Sequence, residues 1–299
     1  QLVPRILELK PKDEWCRRAL TFLRAWDYVV AADSVAACVF EVCYTHLVRK
    51  ALEEKIGSWS DFYVGRGIHP LRANGSFFGE SASWLLGKMR DKKKWFAEKS
   101  WKEAMEEALA SAVAELRQLL GDDISQWQWG RLHRQTFNHV LGRSRALSRL
   151  FNRGPVAVGG DANTVWQASY APYHGYELRA WTASYRQIID VGSFDNSLSV
   201  IPSGQSGHPG SRHYGDMIPL WARVDYHPML WERTSVEREA RGRLLYGSAE
   251  FIEGGRPTRG APSESPGRIP FFIAILLGGQ RIPLQPPRCP SGGQVRWSG

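Results

Sequence analysis

The sequence has few cysteines, and their spacing excludes the common cysteine-based sites. Its four cysteines, Cys16, Cys38, Cys43 and Cys289, form no Cys-x-x-Cys pair, and no His/Cys pair matches the step from Cys38 to Cys43. We therefore expect buried free thiols on helices rather than a disulfide framework. Cysteine usage leaves the cellular compartment open.

A long apolar run and a signal segment are also missing. The longest apolar stretch, residues 269–277, contains Pro270 and is far too short to span a bilayer. The chain starts at Gln1 without an initiator Met, a basic n-region or an apolar h-region. These features predict no membrane partner, and they favour a fragment or a processed chain.

Positive charge is only moderately in excess, with a formal net charge of +9 over 299 residues. Part of it lies in residues 92–94 and 143–153. Because no recognised nucleic-acid motif accompanies these residues, we interpret them as solvated surface and expect no nucleic-acid partner. The hydrophobic fraction of 43% and the thirteen tryptophans indicate a globular protein.

The first half of the chain carries helical patterns. Apolar residues recur on one face of residues 12–26, and Ser34 can cap a second helix. Residues 100–120 give the clearest signal, because Ser100 and Glu103 form a capping box and an apolar stripe follows. The sequence therefore predicts a helical first half.

The second half is richer in strand signals. Residues 185–191 and 198–201 are apolar, β-branched runs bounded by Gly192 and by Pro202. Uninterrupted runs of this kind suit strands that are covered on both faces. Together with the helical first half, they predict an α+β fold.

Residues 247–299 differ from the rest in composition. About a third of them are Gly or Pro, with no period and no helix- or strand-length pattern. We predict that residues 1–246 form the folded portion and that residues 247–299 form a disordered extension. This extension is either translation beyond the native end of the gene or a Pro-rich interaction tail.

A series of short motifs follows in order between residues 129 and 214. The series comprises Trp129-Gly130-Arg131-Leu132-His133, Phe137-Asn138-His139-Val140-Leu141-Gly142, Gly159-Gly160-Asp161, Ser184-Tyr185-Arg186 with Asp190, Pro202-Ser203-Gly204-Gln205-Ser206-Gly207 and Ser211-Arg212-His213-Tyr214. In this order they resemble the penicillin acylase family of N-terminal-nucleophile amidohydrolases, except that Val140 stands where the family usually has proline. The resemblance covers residues 10–246 and corresponds to the late part of the family's catalytic β chain.

The resemblance implies part of an αββα sandwich whose nucleophile lies outside this chain. In the family, a serine freed at the N-terminus of the β chain attacks the amide, with its own amino group or a histidine as base. Gln1 has neither a hydroxyl nor a thiol, so the nucleophile and the oxyanion residues are expected upstream.

The same resemblance implies the partners and the location. The implied partners are the upstream α chain, the N-terminal part of the β chain and a small-molecule amide substrate. Relatives bind calcium through carboxylates in segments that this chain does not match. We therefore assign the chain no metal and no cofactor, although the full-length parent could bind calcium. A periplasmic or secreted location is implied.

Asp190 is the candidate catalytic residue, because a carboxylate late in the β chain orients the histidine in some family acylases. On a buried strand it would need a partner, so it either orients that absent histidine or forms a structural salt bridge with Arg186. Asp161 is expected to cap a turn rather than to touch substrate. His213 is expected to close a loop by hydrogen bonding. The other histidines considered, His133, His139 and His208, lack zinc-ligand spacing.

Two functions follow from these observations. The first is a fragment of an amidohydrolase that cleaves linear amides with an apolar acyl group, such as a β-lactam side chain or an acyl-homoserine lactone. The isolated chain is then expected to be inactive. The alternative is a non-enzymatic module whose tryptophan-rich loops bind a sugar or a peptide. The ordered motifs favour the first.

Overall fold

The computed structural model describes residues 1–69, 72–74, 81–91, 94–240, 243–244 and 274–275. The chain divides into two compact units, one of residues 1–188 with 198–227 and the other of residues 189–197 with 228–299. The predicted division between residues 246 and 247 lies outside the described residues. So does the predicted disordered tail, except for residues 274 and 275.

The first half of the chain is helical, as predicted. Its elements are α1 (Leu2–Leu7), α2 (Glu14–Arg24), α3 (Val35–Ile56), α4 (Ser60–Tyr63), β1 (Arg66–His69), β2 (Arg72–Asn74), α5 (Ser81–Arg90) and α6 (Trp101–Leu120). Strands β1 and β2 pair antiparallel. This region supplies most of the larger core of the first unit.

Side-chain caps set the starts of the long helices. Asp13 accepts a hydrogen bond from the backbone N–H of Cys16 at 2.8 Å, and Ser34 accepts one from Ala37 at 3.1 Å. Ser100 and Glu103 form the predicted capping box at the start of α6. These contacts satisfy N–H groups that have no partner within the helix.

Helix α3 lies at the centre of the larger core and packs against α2 and α6. Val42 and Leu47 of α3 and Leu109 and Leu116 of α6 are fully or almost fully buried. Each such side chain contributes roughly 1.5–3 kcal/mol on burial, so this contact carries much of the stability. Trp127 and Trp129 are fully buried at the end of the same core.

The second half contains short strands joined by turns and short helices. Its elements are α7 (Trp129–Leu132), β3 (Arg134–Phe137), α8 (Arg145–Phe151), β4 (Arg153–Ala157), β5 (Ala168–Tyr170), β6 (Leu178–Thr182), β7 (Arg186–Ile188), β8 (Leu198–Val200), α9 (Ile218–Ala222), β9 (His227–Pro228), α10 (Arg233–Glu239), β10 (Arg243–Leu244) and β11 (Ala274–Ile275). The pairs β3–β4, β5–β6, β7–β8 and β10–β11 are antiparallel. The predicted α+β class is confirmed.

The strand predicted over residues 185–191 is shorter and more exposed than expected. Only Arg186–Ile188 is extended as β7, and Ile188 is 52% exposed. The prediction of a strand buried on both faces is therefore wrong for this segment in the structure. An apolar run indicates that both faces of a strand can be buried, but burial requires other helices or strands to pack on those faces. The second predicted strand is confirmed as β8, with Val200 fully buried.

A smaller core in the first unit joins the strands of the second half. Its buried members are Val158, Ala168, Leu178, Val200 and Trp221. The indole of Trp221 is fully buried, and its Nε1 donates to the carbonyl of Ala183 at 2.8 Å. Helix α9 therefore fixes the positions of the loops that carry the motifs around it.

The carboxylate of Asp195 connects two segments of the second unit. Asp195 accepts hydrogen bonds from the backbone N–H groups of Trp231 and Glu232, each at 2.8 Å, and from the hydroxyl of Ser235. These contacts fix the start of α10. No helix among the described residues is long and apolar enough to cross a membrane.

Candidate functional site

Asp190, the predicted catalytic residue, caps a turn after β7. Its Oδ1 accepts hydrogen bonds from the backbone N–H groups of Gly192 at 2.9 Å and Ser193 at 3.1 Å. Its Oδ2 accepts from the side-chain amide of Asn196 at 3.1 Å. The hydrogen bond from Asn196, followed by those from Gly192 and Ser193, lowers the pKa of Asp190. Asp190 is neither in a strand nor deeply buried, so its predicted burial is wrong.

Arg186, the predicted ionic partner of Asp190, lies among aromatic rings. Its guanidinium stands 5.2 Å from the ring centre of Trp166, 5.5 Å from that of Tyr226 and 5.8 Å from that of Trp221. One guanidinium nitrogen donates to the carbonyl of Trp221 at 2.6 Å. Burial lowers the pKa of Arg186. Cation–π contacts stabilise the charge here.

Asp161 caps the tight turn that follows β4, as the sequence predicted. Its Oδ1 accepts from the backbone N–H of Asn163 at 2.5 Å and that of Thr164 at 2.7 Å. Gly160 has a φ of +76°, and a Cβ there would stand 2.2 Å from the carbonyl oxygen of Trp166. Glycine is therefore required before Asp161 by both backbone conformation and space.

A buried polar cluster that sequence reasoning missed lies between this turn and α3. Glu41 of α3 is only 2% exposed, and its Oε2 accepts a hydrogen bond from the hydroxyl of Tyr170 at 2.8 Å. Thr45 lies 3.2 Å from the same hydroxyl. Burial first, and then the nearby negative charge of Asp161, raises the pKa of Glu41 well above its ordinary value. A signal was present, since Glu41 is a lone acidic residue in the apolar stretch 35–48.

His133 belongs to the same buried region. Its ring is fully buried and stacks on Trp129 with the ring centres 4.6 Å apart. Its Nδ1 lies 2.7 Å from the carbonyl oxygen of Tyr176, which fixes Nδ1 as the protonated nitrogen. Burial lowers the pKa of His133 to about 4, so the ring is neutral at neutral pH. His133 is a core residue here.

Three of the motifs meet at a small cleft in the first unit. The cleft has a volume of about 190 Å³ and is lined by Phe137, Asn138, His139, Phe151, Arg153, Ser203, Gly204, Ser206 and Tyr214. Its lining comes from the Phe-Asn-His, Gly-Gln-Ser-Gly and Ser-x-His-Tyr segments. The backbone N–H of Ser206 donates to the carbonyl of His213 at 3.0 Å. The predicted loop-closing role of His213 is thus confirmed through its backbone.

Gly204 explains why the two segments pack so closely. A Cβ on Gly204 would stand 2.1 Å from the carbonyl oxygen of His213, so a larger residue would separate the segments. Tyr214 extends the contact, because its hydroxyl donates to the carbonyl of Phe151 at 2.6 Å. These close contacts show that the glycine motif packs directly against the Ser-x-His-Tyr segment.

His139 lines the cleft, and His139, His208 and His213 each have partners that limit their chemistry. His213 Nδ1 lies 2.6 Å from Asp216 Oδ2, which has the form of a catalytic His–Asp pair. Its Nε2, the atom that would accept a proton from a nucleophile, already accepts from Arg212 Nε at 2.9 Å. His139 Nδ1 accepts from the N–H of Leu141 at 3.1 Å. His208 Nδ1 accepts from the N–H of Gly210 at 3.1 Å.

The described residues build a scaffold around the cleft and no complete acyl-transfer centre. Such a centre needs a nucleophile, a base within hydrogen-bonding reach and oxyanion donors. His139, His208 and His213 instead contact backbone groups, Asp216 and Arg212. Within the described part of the chain, no group of three His, Cys, Asp or Glu residues could hold a metal ion.

The ordered motifs and their common cleft agree with a comparison to known families. The model of the penicillin amidase family matches residues 1–238. The chain belongs to the penicillin amidase family. The match ends eight residues before the predicted boundary at residue 246 and covers every motif from Trp129 to Tyr214.

The relatives that the chain resembles include two kinds of acylase. An acyl-homoserine lactone acylase QuiP from Pseudomonas fluorescens is 30% identical over 233 residues, which is 74% of this chain and 27% of that protein. The penicillin acylase 2 proenzyme of Pseudomonas sp. strain SE83 is 37% identical over 141 residues, which is 46% of this chain and 17% of that protein. The chain spans about a quarter of the length of the acyl-homoserine lactone acylases it matches.

A solved structure shows a weaker likeness. The thermostable penicillin G acylase of Alcaligenes faecalis shares 20% identity, with a TM-score of 0.43 over 86% of this chain and 46% of that one. Membership in the penicillin amidase family therefore depends on the sequence match. The role of Asp190 as an orienting carboxylate stays a prediction.

Proposed function

We propose that this chain forms the late part of the β chain of a linear-amide hydrolase. The observation that carries the proposal is the penicillin amidase match over residues 1–238. Relatives named as acyl-homoserine lactone acylases and as a penicillin acylase support a substrate with an amide-linked acyl group. A substrate in which an amide joins an apolar acyl chain or an aromatic acetyl group to a small polar molecule is consistent with both kinds of relative.

The proposed reaction is acyl transfer to an N-terminal serine that another part of the parent supplies. Attack of its hydroxyl on the amide carbonyl expels the amine and leaves an ester, which water then hydrolyses. The described residues contribute a scaffold: the turn at Asp161, the smaller core around Trp221 and the cleft at His139. Asp190 could orient a histidine of the parent only if the turn that it caps were rearranged.

The proposed partners are the remaining parts of the same precursor. They are the α chain and the N-terminal part of the β chain, and the name of one relative, a proenzyme, supports synthesis as a precursor. Layers of an αββα sandwich supplied by these parts would cover the exposed Ile188 on β7. We further propose a periplasmic or secreted location and, in the parent, a calcium site outside this chain.

The alternative of a tryptophan-rich binding module has less support. Trp127, Trp129 and Trp221 are fully buried in the two cores of the first unit. A binding face needs exposed aromatic rings, and these three instead serve packing. Trp59, Trp181 and Trp231 are more than half exposed and are the described tryptophans that could contact a ligand. The tryptophan content is therefore largely explained by folding.

Hydrolysis of amide substrates tests the proposal. The complete reading frame that contains this chain should release free amine from phenylacetyl, glutaryl and long-chain acyl-homoserine lactone substrates. The 299-residue chain alone should release none. A serine-to-alanine change at the first residue of the processed β chain is the matched control. Equal activity of the control and the unchanged protein, or no hydrolysis of any of these amides, would contradict the proposal.

A further inference from the structure

Arg153 supplies a fixed positive charge at the small cleft where the Phe-Asn-His, Gly-Gln-Ser-Gly and Ser-x-His-Tyr segments meet. Its Nη1 donates to the carbonyls of Leu150 at 2.8 Å and Asn152 at 2.9 Å, and its Nη2 donates to the carbonyl of Pro209 at 2.9 Å. The guanidinium also lies 4.4 Å from the ring centre of Tyr214. These contacts hold the charge in one place at the wall of the cleft.

Two of the five N–H groups of Arg153 have no acceptor among the described residues. Three donate to backbone carbonyls, so one N–H on Nε and one on Nη2 remain. The residues that line the cleft include no Asp or Glu that could accept them. A carboxylate accepts strongly from charged N–H groups of this kind, because the bond joins two opposite charges.

Three further side chains of the lining have donors without an acceptor in the described part of the chain. His139 Nδ1 accepts from the N–H of Leu141 at 3.1 Å, so the ring proton lies on Nε2, which can only donate. Ser206 Oγ accepts from the N–H of His208 at 3.1 Å, which leaves its O–H group to donate. The hydroxyl of Ser203 makes no hydrogen bond to a described residue. The cleft is therefore rich in donors.

The segments that form the cleft carry positive charge. Residues 137–153 and 203–214 contain five arginines between them and no Asp or Glu. Asp216 follows the second segment and comes close to Gly204, but its Oδ2 lies 2.6 Å from Nδ1 of His213. The local potential therefore favours an anionic ligand over a neutral or a cationic one.

The size and the walls of the cleft restrict the ligand further. Its volume is about 190 Å³, whereas drug-sized ligands occupy pockets of roughly 300–1,000 Å³. Phe137, Phe151 and Tyr214 contribute aromatic rings, and the ring of His139 stacks on Phe151 with the ring centres 4.9 Å apart. Aromatic faces suit a small, flat, apolar body rather than a hydrated inorganic ion.

We propose that this cleft binds a small monocarboxylate. The carboxylate accepts hydrogen bonds from Arg153 and from the hydroxyls of Ser203 and Ser206, and the apolar body lies against Phe137 and Phe151. Binding is non-covalent, and no proton or group is transferred. The site is independent of the proposed amide hydrolysis, because it needs neither a nucleophile nor oxyanion donors.

Isothermal titration calorimetry on the protein made from the complete reading frame tests the site, with benzoate as the probe. Benzamide has the same ring without the charge, so benzoate should bind at least about tenfold more tightly. Ser203→Ala breaks no hydrogen bond among the described residues and should weaken benzoate binding about tenfold. Ser184→Ala, an exposed change outside the cleft in the same unit, is the matched control and should leave binding unchanged.

Arg153→Gln and Arg149→Gln separate the charge in the cleft from the charge around it. Both arginines lie in the acid-free segment, but Arg149 does not line the cleft. Arg153→Gln should weaken benzoate binding at least about tenfold, whereas Arg149→Gln should change it less than about twofold at physiological ionic strength. Because Arg153 also holds three carbonyls, Ser203→Ala serves as the test if Arg153→Gln does not fold.

Four results would overturn the proposed carboxylate site. They are equal binding of benzamide and benzoate, no benzoate binding at millimolar concentrations, binding that neither Ser203→Ala nor Arg153→Gln weakens, and tighter binding of inorganic phosphate than of benzoate. The third result would place the benzoate site elsewhere in the parent. The fourth would show a site for an inorganic ion.

Discussion

Replacing Trp221 by alanine tests whether the smaller core holds the second half of the first unit together. The indole is fully buried, stands edge-to-face against Phe137 at 5.5 Å and Trp166 at 6.0 Å, and lies 5.8 Å from the guanidinium of Arg186. Its Nε1 is the donor to the carbonyl of Ala183. The change removes all of these contacts at once.

The expected loss can be worked from these contacts. Removing a buried tryptophan costs about 3–5 kcal/mol, which already includes its ring contacts. The carbonyl of Ala183 loses its donor, which adds roughly 1 kcal/mol if water reaches it. We therefore expect Trp221→Ala to lower the free energy of unfolding by about 4–6 kcal/mol, a large part of the stability of a typical domain. Trp221→Phe, which keeps a ring in the core, should cost about half as much.

Urea unfolding followed by far-UV circular dichroism measures the effect without relying on tryptophan emission. The midpoint of Trp221→Ala should fall by roughly 2 M urea, given the usual slopes. Trp59→Ala is the matched control, because that ring is largely exposed and its removal should cost less than about 0.5 kcal/mol. If the two alanine variants unfold within about 1 kcal/mol of each other, the reasoning about the smaller core is refuted.

Three further predictions follow from single contacts. Burial lowers the pKa of His133 to about 4 from its ordinary 6.5, so between these pH values the unfolded chain binds a proton that the folded chain does not. The free energy of unfolding should therefore fall by about 3 kcal/mol as the pH is lowered from 6.5 to 4. His133→Phe should lose this part of the pH dependence in denaturant titrations. Ser100→Ala removes one half of the capping box and should cost about 1 kcal/mol in thermal unfolding, whereas Ser100→Asp should not. Burial raises the pKa of the Cys43 thiol to about 12, so iodoacetamide should label Cys43 and the equally buried Cys38 only after unfolding, as peptide mapping would show.

The helices could be predicted well because the residues that start and stabilise a helix lie close to one another in the sequence. The capping box at Ser100 and Glu103 and the stripe after it describe one continuous segment, and the structure confirms them in α6. The turn at Asp161 is similar, since glycine and aspartate are adjacent in the sequence. In such cases the residues that determine the conformation are close neighbours in the sequence.

Features that depend on distant residues were harder to predict. The apolar run around Ile188 indicates a strand but cannot show which layer covers it, and the side chain of Ile188 is about half exposed in this chain. Asp190 was expected to need a charged partner, but three donors within six residues satisfy it instead. Glu41 accepts a hydrogen bond from Tyr170, which lies 129 residues away in the sequence, and no local pattern predicts such a contact.

The family motifs predicted which segments meet but not what their side chains do. Residues near 139, 204 and 213 do line one cleft, as their order in the family suggests. The close approach of Gly204 to His213 explains the glycine, and the Arg212 contact explains why His213 is not free to act as a base. Whether a side chain can act as a base depends on these interatomic distances, and the spacing of residues along the sequence does not predict them.

The most direct test of the proposed amide hydrolase is the intact mass of the protein made from its complete reading frame. We predict two chains produced by self-cleavage, with the second chain beginning with serine and containing residues 1–238 of the sequence described here. Replacing that serine by alanine should leave one uncleaved precursor. A single chain of full mass from the unchanged gene, with no serine, threonine or cysteine exposed at a new N-terminus, would contradict the proposed function.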